Sequence, residues 1–123
     1  RDCHGDLHME HICLTESIPI FDCIEFNERF RYTDTLADIA FLLMDLEYRG
    51  GIRFAELLWK DYSGLTGSND MTALLNFYKV YRAYVRGKVI SFQLDDENID
   101  SHKKDEAISS AKRYFQLAGE YIQ

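Results

Sequence analysis

The sequence predicts a mainly α fold with a small β-hairpin at its N-terminal edge, which is an α+β class. Two observations lead to this prediction. Apolar runs alternate with ionisable side chains in the first 25 residues, a pattern typical of short strands joined by a turn. From residue 33 onward, apolar residues recur at helical spacing and glycines separate the segments. The hydrophobic fraction of 46% is sufficient for a packed core, so a disordered chain is excluded.

The predicted hairpin pairs residues 9–14 with residues 18–24 across a turn at residues 15–17. Both segments carry β-branched or aromatic residues between polar ones, and the short polar connection suits a hairpin. Asp6 then lies just before the first strand, and Asp22 lies near the end of the second. Both acids are therefore expected at strand ends.

Residues 25–33 have no clear period and predict a loop, and four helices are predicted after it. The first begins at Thr33 or Asp34, runs to about Arg49, and is apolar almost all round, which indicates a central, buried helix. It carries a narrow polar strip at helical spacing, formed by Asp34, Asp38 and Asp45. A carboxylate such as Asp38 in that setting must accept hydrogen bonds from a fixed partner. The other predicted helices cover Ile52 to about Tyr62, Met71 to about Leu94, and roughly Ser101 to Ile122.

Composition and charge limit the function classes. The net charge of -7 argues against nucleic acid as a partner. No apolar run reaches the ~20 residues of a membrane span, so no membrane partner is expected. Three cysteines without framework spacing favour a reducing cytoplasm. We expect one domain over residues 1–123. Because termini fray and the chain opens on its densest chemistry, we also expect a fragment of a longer protein.

Seven side chains that can ionise or bind metal lie within the first 22 residues: Asp2, His4, Asp6, His8, Glu10, His11 and Asp22. Burying such groups is costly unless they are paired or coordinated, so their density indicates a functional site. On one helix, His4, His8 and His11 would align three imidazoles for a zinc ion. Gly5 and the strand-like residues after His8 argue against a helix. Histidines that satisfy loop backbone groups are the alternative.

The triplet His4-Gly5-Asp6, with Asp22 and Asp38 in order after it, resembles the catalytic core of the aminoglycoside phosphotransferase and choline kinase-like family. This family has a protein-kinase-like fold, and the resemblance covers roughly residues 2–94. It implies the C-terminal lobe only. Residues 1–25 would form the catalytic loop and metal-binding hairpin, and residues 33–123 would form the helical subdomain.

The resemblance implies transfer of a phosphoryl group from ATP to the hydroxyl of a small-molecule substrate, which depends on positioning and charge neutralisation. Asp6 would be the base that orients the substrate hydroxyl, and His4 would complete the catalytic group by anchoring the loop. Asp22 would hold the Mg²⁺ that bridges the nucleotide phosphates. Asp38 would be structural, because it would accept backbone N–H groups of the catalytic loop.

The sequence departs from the family pattern at His11, where the family usually has an asparagine as a metal and cofactor ligand. Imidazole prefers softer ions than Mg²⁺, so Mn²⁺ is a possible ion and loss of activity is conceivable. Glu25 is either an additional metal ligand or a solvated loop acid. The chain has no Gly-rich phosphate loop, so the nucleotide would need an N-terminal lobe that precedes Arg1, and the fragment alone is expected to be inactive.

Two other functions remain open. One is a metalloenzyme that uses His4, His8 and His11, and the other is a non-catalytic, degenerate kinase lobe that serves as an interaction module. A basic stripe also follows the third predicted helix, formed by Lys79, Arg82, Arg86 and Lys88. If the stripe faces the cleft, it favours a neutral or anionic substrate over a polycation. The alternative is a stripe that faces solvent.

Overall fold

Five α-helices form the fold of this protein, for which a computed structural model describes all 123 residues. They are α1 (Glu28–Arg31), α2 (Thr35–Tyr48), α3 (Ile52–Thr66), α4 (Thr72–Ser91) and α5 (Ser101–Glu120). Three 3₁₀ turns lie at Met9–His11, Asn69–Met71 and Phe92–Asp95. The β contacts are two isolated bridges, Asp2 with Tyr32 and Ile12 with Ile20. The molecule therefore contains no sheet.

The prediction of an α+β kinase-like lobe with a hairpin is wrong, because the fold is all-helical. A 3₁₀ turn replaces the start of the first predicted strand. The left-handed φ angles of Ile18 (44°) and Asp22 (59°) interrupt the second one. Large apolar residues of both segments, Leu14 and Ile20 among them, are exposed. Without a layer that covers one face, a two-stranded ladder has little to stabilise it.

The four long predicted helices are present, and α2 lies at their centre. The Asp34 carboxylate caps α2 by accepting the Leu36 N–H at 2.9 Å, and Gly50 follows the helix with a φ of +85°. All of residues 36–45 are buried. Residues 4–9, named the N-terminal loop here, lie against this helix. The segment predicted as a loop before α2 contains the short helix α1.

Two apolar clusters meet at α2. One joins α2 to α3 and α4 and consists of Leu36, Ile39, Ala40, Leu42, Leu43, Ala55 and Leu75. The other joins α2 to α4 and α5 and consists of Phe41, Met44, Ala83, Tyr114 and Ala118. Close approach of α4 and α5 requires Gly87, since a Cβ atom there would lie 2.8 Å from Cε1 of Phe115. None of the helices combines the length and the apolar character that crossing a bilayer demands.

The basic stripe of α4 does not face solvent as a unit. Lys79 is buried and its Nζ lies 2.7 Å from Oε1 of Glu47. The Arg82 guanidinium lies over the ring of Phe41, 4.7 Å from the ring centre. Of the four residues of the stripe, only Lys88 is exposed. The stripe therefore supplies internal cations to α2 and to the N-terminal loop.

Candidate functional site

Two buried carboxylates of α2 hold the backbone of the N-terminal loop. Asp38 accepts the N–H of His4 at 2.7 Å and the N–H of Gly5 at 2.9 Å, one through each oxygen. Asp45 accepts the N–H of Met9 at 2.9 Å. Asp38 and Asp45 lie seven residues apart, or about two helical turns, so they face the same side of α2. Both ends of the loop are thereby fixed to the most buried helix.

Gly5 allows the loop to lie close to the segment that follows Asp22. Its φ is +83°, and a Cβ atom would lie 2.9 Å from Cδ1 of Ile24. The Ile24 N–H donates to the carbonyl of His4 at 3.0 Å. From the other side, Arg82 donates to the carbonyl of Gly5 at 3.3 Å. Burial lowers the pKa of the Arg82 guanidinium, and nearby carboxylates oppose that change.

His4 has both ring nitrogens engaged. Nε2 lies 2.6 Å from the carbonyl oxygen of Phe21, to which it can only donate. Nδ1 accepts the N–H of Asp6 at 3.2 Å. These two contacts define a neutral tautomer with its proton on Nε2 and no free lone pair. His4 in this state anchors the loop and has no nitrogen to offer a metal.

The Asp6 carboxylate faces two other histidines. Its Oδ2 lies 3.5 Å from Nε2 of His8 and 3.7 Å from Nδ1 of His11. The contact with His8 holds the pKa of Asp6 below its usual range, against the opposing effect of partial burial, and the charge of Arg82 acts in the same direction as His8. Asp6 is therefore ionised at neutral pH.

His11 lies between the two acids of the predicted site. Its Nδ1 is 2.8 Å from the carbonyl oxygen of Asp6, and its Nε2 is 3.2 Å from Oδ2 of Asp22. Both neighbours are acceptors, so a neutral imidazole donates to one and turns a lone pair toward the other. The arrangement is satisfied by a doubly protonated ring or by a cation bound beside one ring nitrogen.

Both acids line one cleft of about 430 Å³. Its lining consists of Asp6, Asp22, Cys23, Ile24, Glu25 and Phe26. The Asp22 side chain is 72% exposed, so it is open to a ligand from solvent. The structure thus places three predicted ligands, Asp22, His11 and Glu25, at or beside the cleft that contains Asp6. Asp38 lies behind the loop and accepts hydrogen bonds from its backbone.

The sequence does not identify Asp45 and Arg82 as residues that support the site. Asp45 has a recognisable signal, because it lies two turns after Asp38 inside an otherwise apolar helix. Arg49 donates hydrogen bonds to Asp45 at 3.0 Å and to Glu10 at 3.1 Å, so it links this carboxylate to the segment after the loop. Arg82 has no such signal, since its contact with the loop depends on how α4 crosses α2.

A second cleft of about 400 Å³ lies on the aromatic side of the loop and shares Ile24 with the first. Its main walls are Phe30, Tyr32, Phe77, Tyr78, Tyr81 and Arg82. No carboxylate lines it. Its chemistry therefore differs from that of the acidic cleft, which Asp6, Asp22 and Glu25 line.

No family model and no solved structure matches the chain. The chain is similar to the uncharacterized proteins Rv2004c and MT2060 of two strains of Mycobacterium tuberculosis and Mb2027c of Mycobacterium bovis. Identity to each is 35% over 123 residues, which cover 99% of this chain and 24% of the relative. The chain thus spans about a quarter of the length of the curated relatives it matches. The names of these relatives state no activity that could be compared with this chain.

Proposed function

We propose that this chain carries the catalytic loop of a small-molecule phosphotransferase, which transfers the γ-phosphate of ATP to a substrate hydroxyl. The observation that best supports the proposal is the single cleft shared by Asp6 and Asp22, with His11 between them. Phosphoryl transfer requires a base beside the hydroxyl and a cation on the phosphates within one cleft. Two carboxylates sixteen positions apart in the sequence line this cleft and are the proposed base and cation ligand.

In this proposal Asp6 accepts the proton of the substrate hydroxyl. The carboxylate is ionised, as a base must be, and Nε2 of His8 lies 3.5 Å from it. His4 fixes the loop through the Asp6 N–H and the Phe21 carbonyl. The backbone contacts of Asp38 keep the base in place without touching the substrate.

Asp22 and His11 are the proposed cation ligands, with Glu25 as an additional carboxylate of the same cleft. The donor set fits a divalent ion. His11 can donate its Nδ1–H to the Asp6 carbonyl, which leaves the lone pair of Nε2 to face the ion beside Asp22. A Mg²⁺ or Mn²⁺ ion held there would neutralise the phosphate oxygens of ATP. The imidazole ligand favours Mn²⁺.

The proposal also requires a nucleotide-clamping N-terminal lobe outside these 123 residues. The relatives are about four times as long as the chain, which leaves room for such a lobe. We propose that the chain alone does not turn over ATP and that the complete protein acts in the cytoplasm on a small hydroxyl compound. All three cysteines are free thiols, which is compatible with a reducing compartment.

A phosphotransfer assay on the longer protein that contains this chain tests the proposal. We expect Asp6→Asn to lower kcat by about 10²- to 10⁴-fold with little change in nucleotide affinity, since it removes the base. Asp22→Asn should instead weaken the binding of metal–nucleotide. Asp105→Asn, an exposed position of α5, is the matched control and should leave both quantities unchanged. Full activity of the Asp6→Asn protein would contradict the role of Asp6 as the base, and no activity of the unmodified longer protein would favour the non-catalytic interaction module.

A further inference from the structure

Three side chains with metal-binding atoms converge beside the proposed base. One such atom from each of Asp6, His8 and His11 lies within 4.8 Å of the other two. Oδ2 of Asp6 is 3.5 Å from Nε2 of His8 and 3.7 Å from Nδ1 of His11. In a tetrahedral zinc site with bonds of about 2.0–2.1 Å, ligand atoms lie roughly 3.3–3.4 Å apart. Small side-chain movements would therefore close these three atoms around one ion.

We propose that Asp6, His8 and His11 form a binding site for Zn²⁺, distinct from the magnesium or manganese position at Asp22. Two imidazoles and one carboxylate form a ligand set that suits zinc, and this set leaves a fourth position for water. Magnesium prefers oxygen ligands and keeps its water shell, so it should compete poorly here. His4 does not belong to the site, because both of its nitrogens are engaged in the loop.

The burial of His8 beside Asp6 is a second observation that favours a metal site. Its side chain is only 4% exposed, and its ring packs against Phe41 with 5.2 Å between the ring centres. Its Nδ1 has no hydrogen-bond partner. A buried polar atom without a partner is destabilising, so an apolar residue would pack here at lower cost. Coordination through Nε2, the atom that faces Asp6, would give that nitrogen a ligand role, while Nδ1 would carry the ring proton and keep no partner.

In the zinc site His11 gives up its contact with the Asp6 carbonyl, 2.8 Å from Nδ1, and keeps its contact with Asp22. Coordination through Nδ1 requires that nitrogen to be unprotonated, so the ring proton moves to Nε2. The Nε2–H then donates to Asp22, whose Oδ2 lies 3.2 Å away. Metal-bound histidines commonly donate their other ring N–H to a carboxylate in this way. Asp22 thus orients a zinc ligand in one state and binds the nucleotide-bound cation in the other.

The zinc-bound state and the state that holds the nucleotide-bound cation exclude each other. A zinc ion at the site would occupy the Asp6 carboxylate and Nδ1 of His11, so the ring proton of His11 would lie on Nε2, the nitrogen that the other cation would use. Zinc is therefore expected to inhibit phosphotransfer, a consequence that rests on the proposed function. The binding of zinc does not rest on it, since the ligands are present in the chain whatever reaction the complete protein performs.

Zinc titration of the chain, purified without a histidine tag and in excess Mg²⁺, tests the site. We expect one Zn²⁺ per chain by isothermal titration calorimetry, and Co²⁺ as a spectroscopic substitute should give a four-coordinate absorption band. His8→Gln should weaken Zn²⁺ binding by about 100-fold or more, since it removes a ligand rather than an outer partner. The matched control His102→Gln, 81% exposed on α5, should bind as the unmodified chain does.

Circular dichroism shows whether the His8→Gln chain is folded. Asp6→Asn, at a partly exposed position, provides a second variant that lacks a zinc ligand. Unchanged Zn²⁺ affinity in either folded variant would overturn the inference. So would Zn²⁺ binding that is lost in Asp22→Asn but kept in His8→Gln, because the ion would then lie at the His11–Asp22 pair. If zinc binds as expected but Asp6→Asn leaves phosphotransfer intact, the zinc site stands and the proposed function fails.

Discussion

The substitution Asp38→Asn examines how the N-terminal loop is fixed on α2. Each Asp38 oxygen accepts one backbone N–H, from His4 at 2.7 Å and from Gly5 at 2.9 Å. Asparagine offers one carbonyl oxygen and one NH₂ group, which is itself a donor. One of the two N–H groups therefore loses its acceptor and meets a donor. Because the side chains have the same shape, the effect reports the hydrogen bonds rather than packing.

The expected cost follows from the burial of these bonds. A hydrogen bond to a charged group contributes about 1.5–3 kcal/mol, and an unpaired buried N–H costs about 1–3 kcal/mol. Asp38 is 9% exposed, so water replaces the lost acceptor poorly. We expect Asp38→Asn to lower the free energy of unfolding by about 2–4 kcal/mol. Asp38→Ala, which leaves both N–H groups unpaired, should lower it by about 3–5 kcal/mol.

Urea denaturation followed by circular dichroism measures this loss. For a small domain, 3 kcal/mol corresponds to a shift of roughly 1–3 M in the urea midpoint. Asp105→Asn, on the exposed face of α5, is the matched control and should change stability by less than about 0.5 kcal/mol. The amide signals of His4 and Gly5 should shift in Asp38→Asn. A variant as stable as the unmodified chain, with both amide signals unmoved, would refute the reasoning.

Two further predictions concern the same loop. Gly5→Ala should lower the free energy of unfolding by about 1.5–3 kcal/mol, because alanine disfavours a φ of +83° and its Cβ would lie 2.9 Å from Ile24. The control Gly64→Ala, in α3 with open space around it, should raise the free energy of unfolding by about 0.5–1 kcal/mol. Urea denaturation measures both, and a Gly5→Ala chain more stable than the Gly64→Ala chain would contradict this. The pKa of Asp6 lies below its usual value because of His8. The contribution of ionised Asp6 to the free energy of unfolding is therefore complete above about pH 4, and it disappears as the pH falls through the lowered pKa. A carboxyl ¹³C titration should give an Asp6 midpoint below ~3.9 that rises in His8→Gln, and an unshifted midpoint would argue against the contact.

The central helix could be predicted from the sequence because its signals are local. A capping aspartate, an unbroken apolar run and a closing glycine each act within one or two turns. The carboxylate of Asp38 was predictable for a related reason, since a charge inside an apolar helix requires a fixed partner. The same reasoning predicts that Asp45 has a fixed partner, but only the structure identifies that partner as the N–H of Met9.

The predicted hairpin failed because alternation of apolar and polar residues shows strand propensity without showing what would cover the strand. The left-handed backbone of Asp22 is equally invisible in the residue order, although aspartate tolerates it. The approach of Asp6 and Asp22 was implied only by a resemblance. Likewise, the contact between Arg82 and Gly5 depends on the crossing of two helices, which no local pattern encodes.

The most direct measurement is a Mn²⁺ titration of the ¹⁵N-labelled chain, because a paramagnetic ion broadens the amide signals of nearby residues. If one cleft joins the two acids around a cation, then Asp6, His11 and Asp22 should broaden together at low Mn²⁺ ratios, and Asp22→Asn should abolish the effect at all three. Broadening confined to residues 22–25, or spread over the exposed acids of α5, would contradict a shared cation site and with it the proposed phosphotransferase.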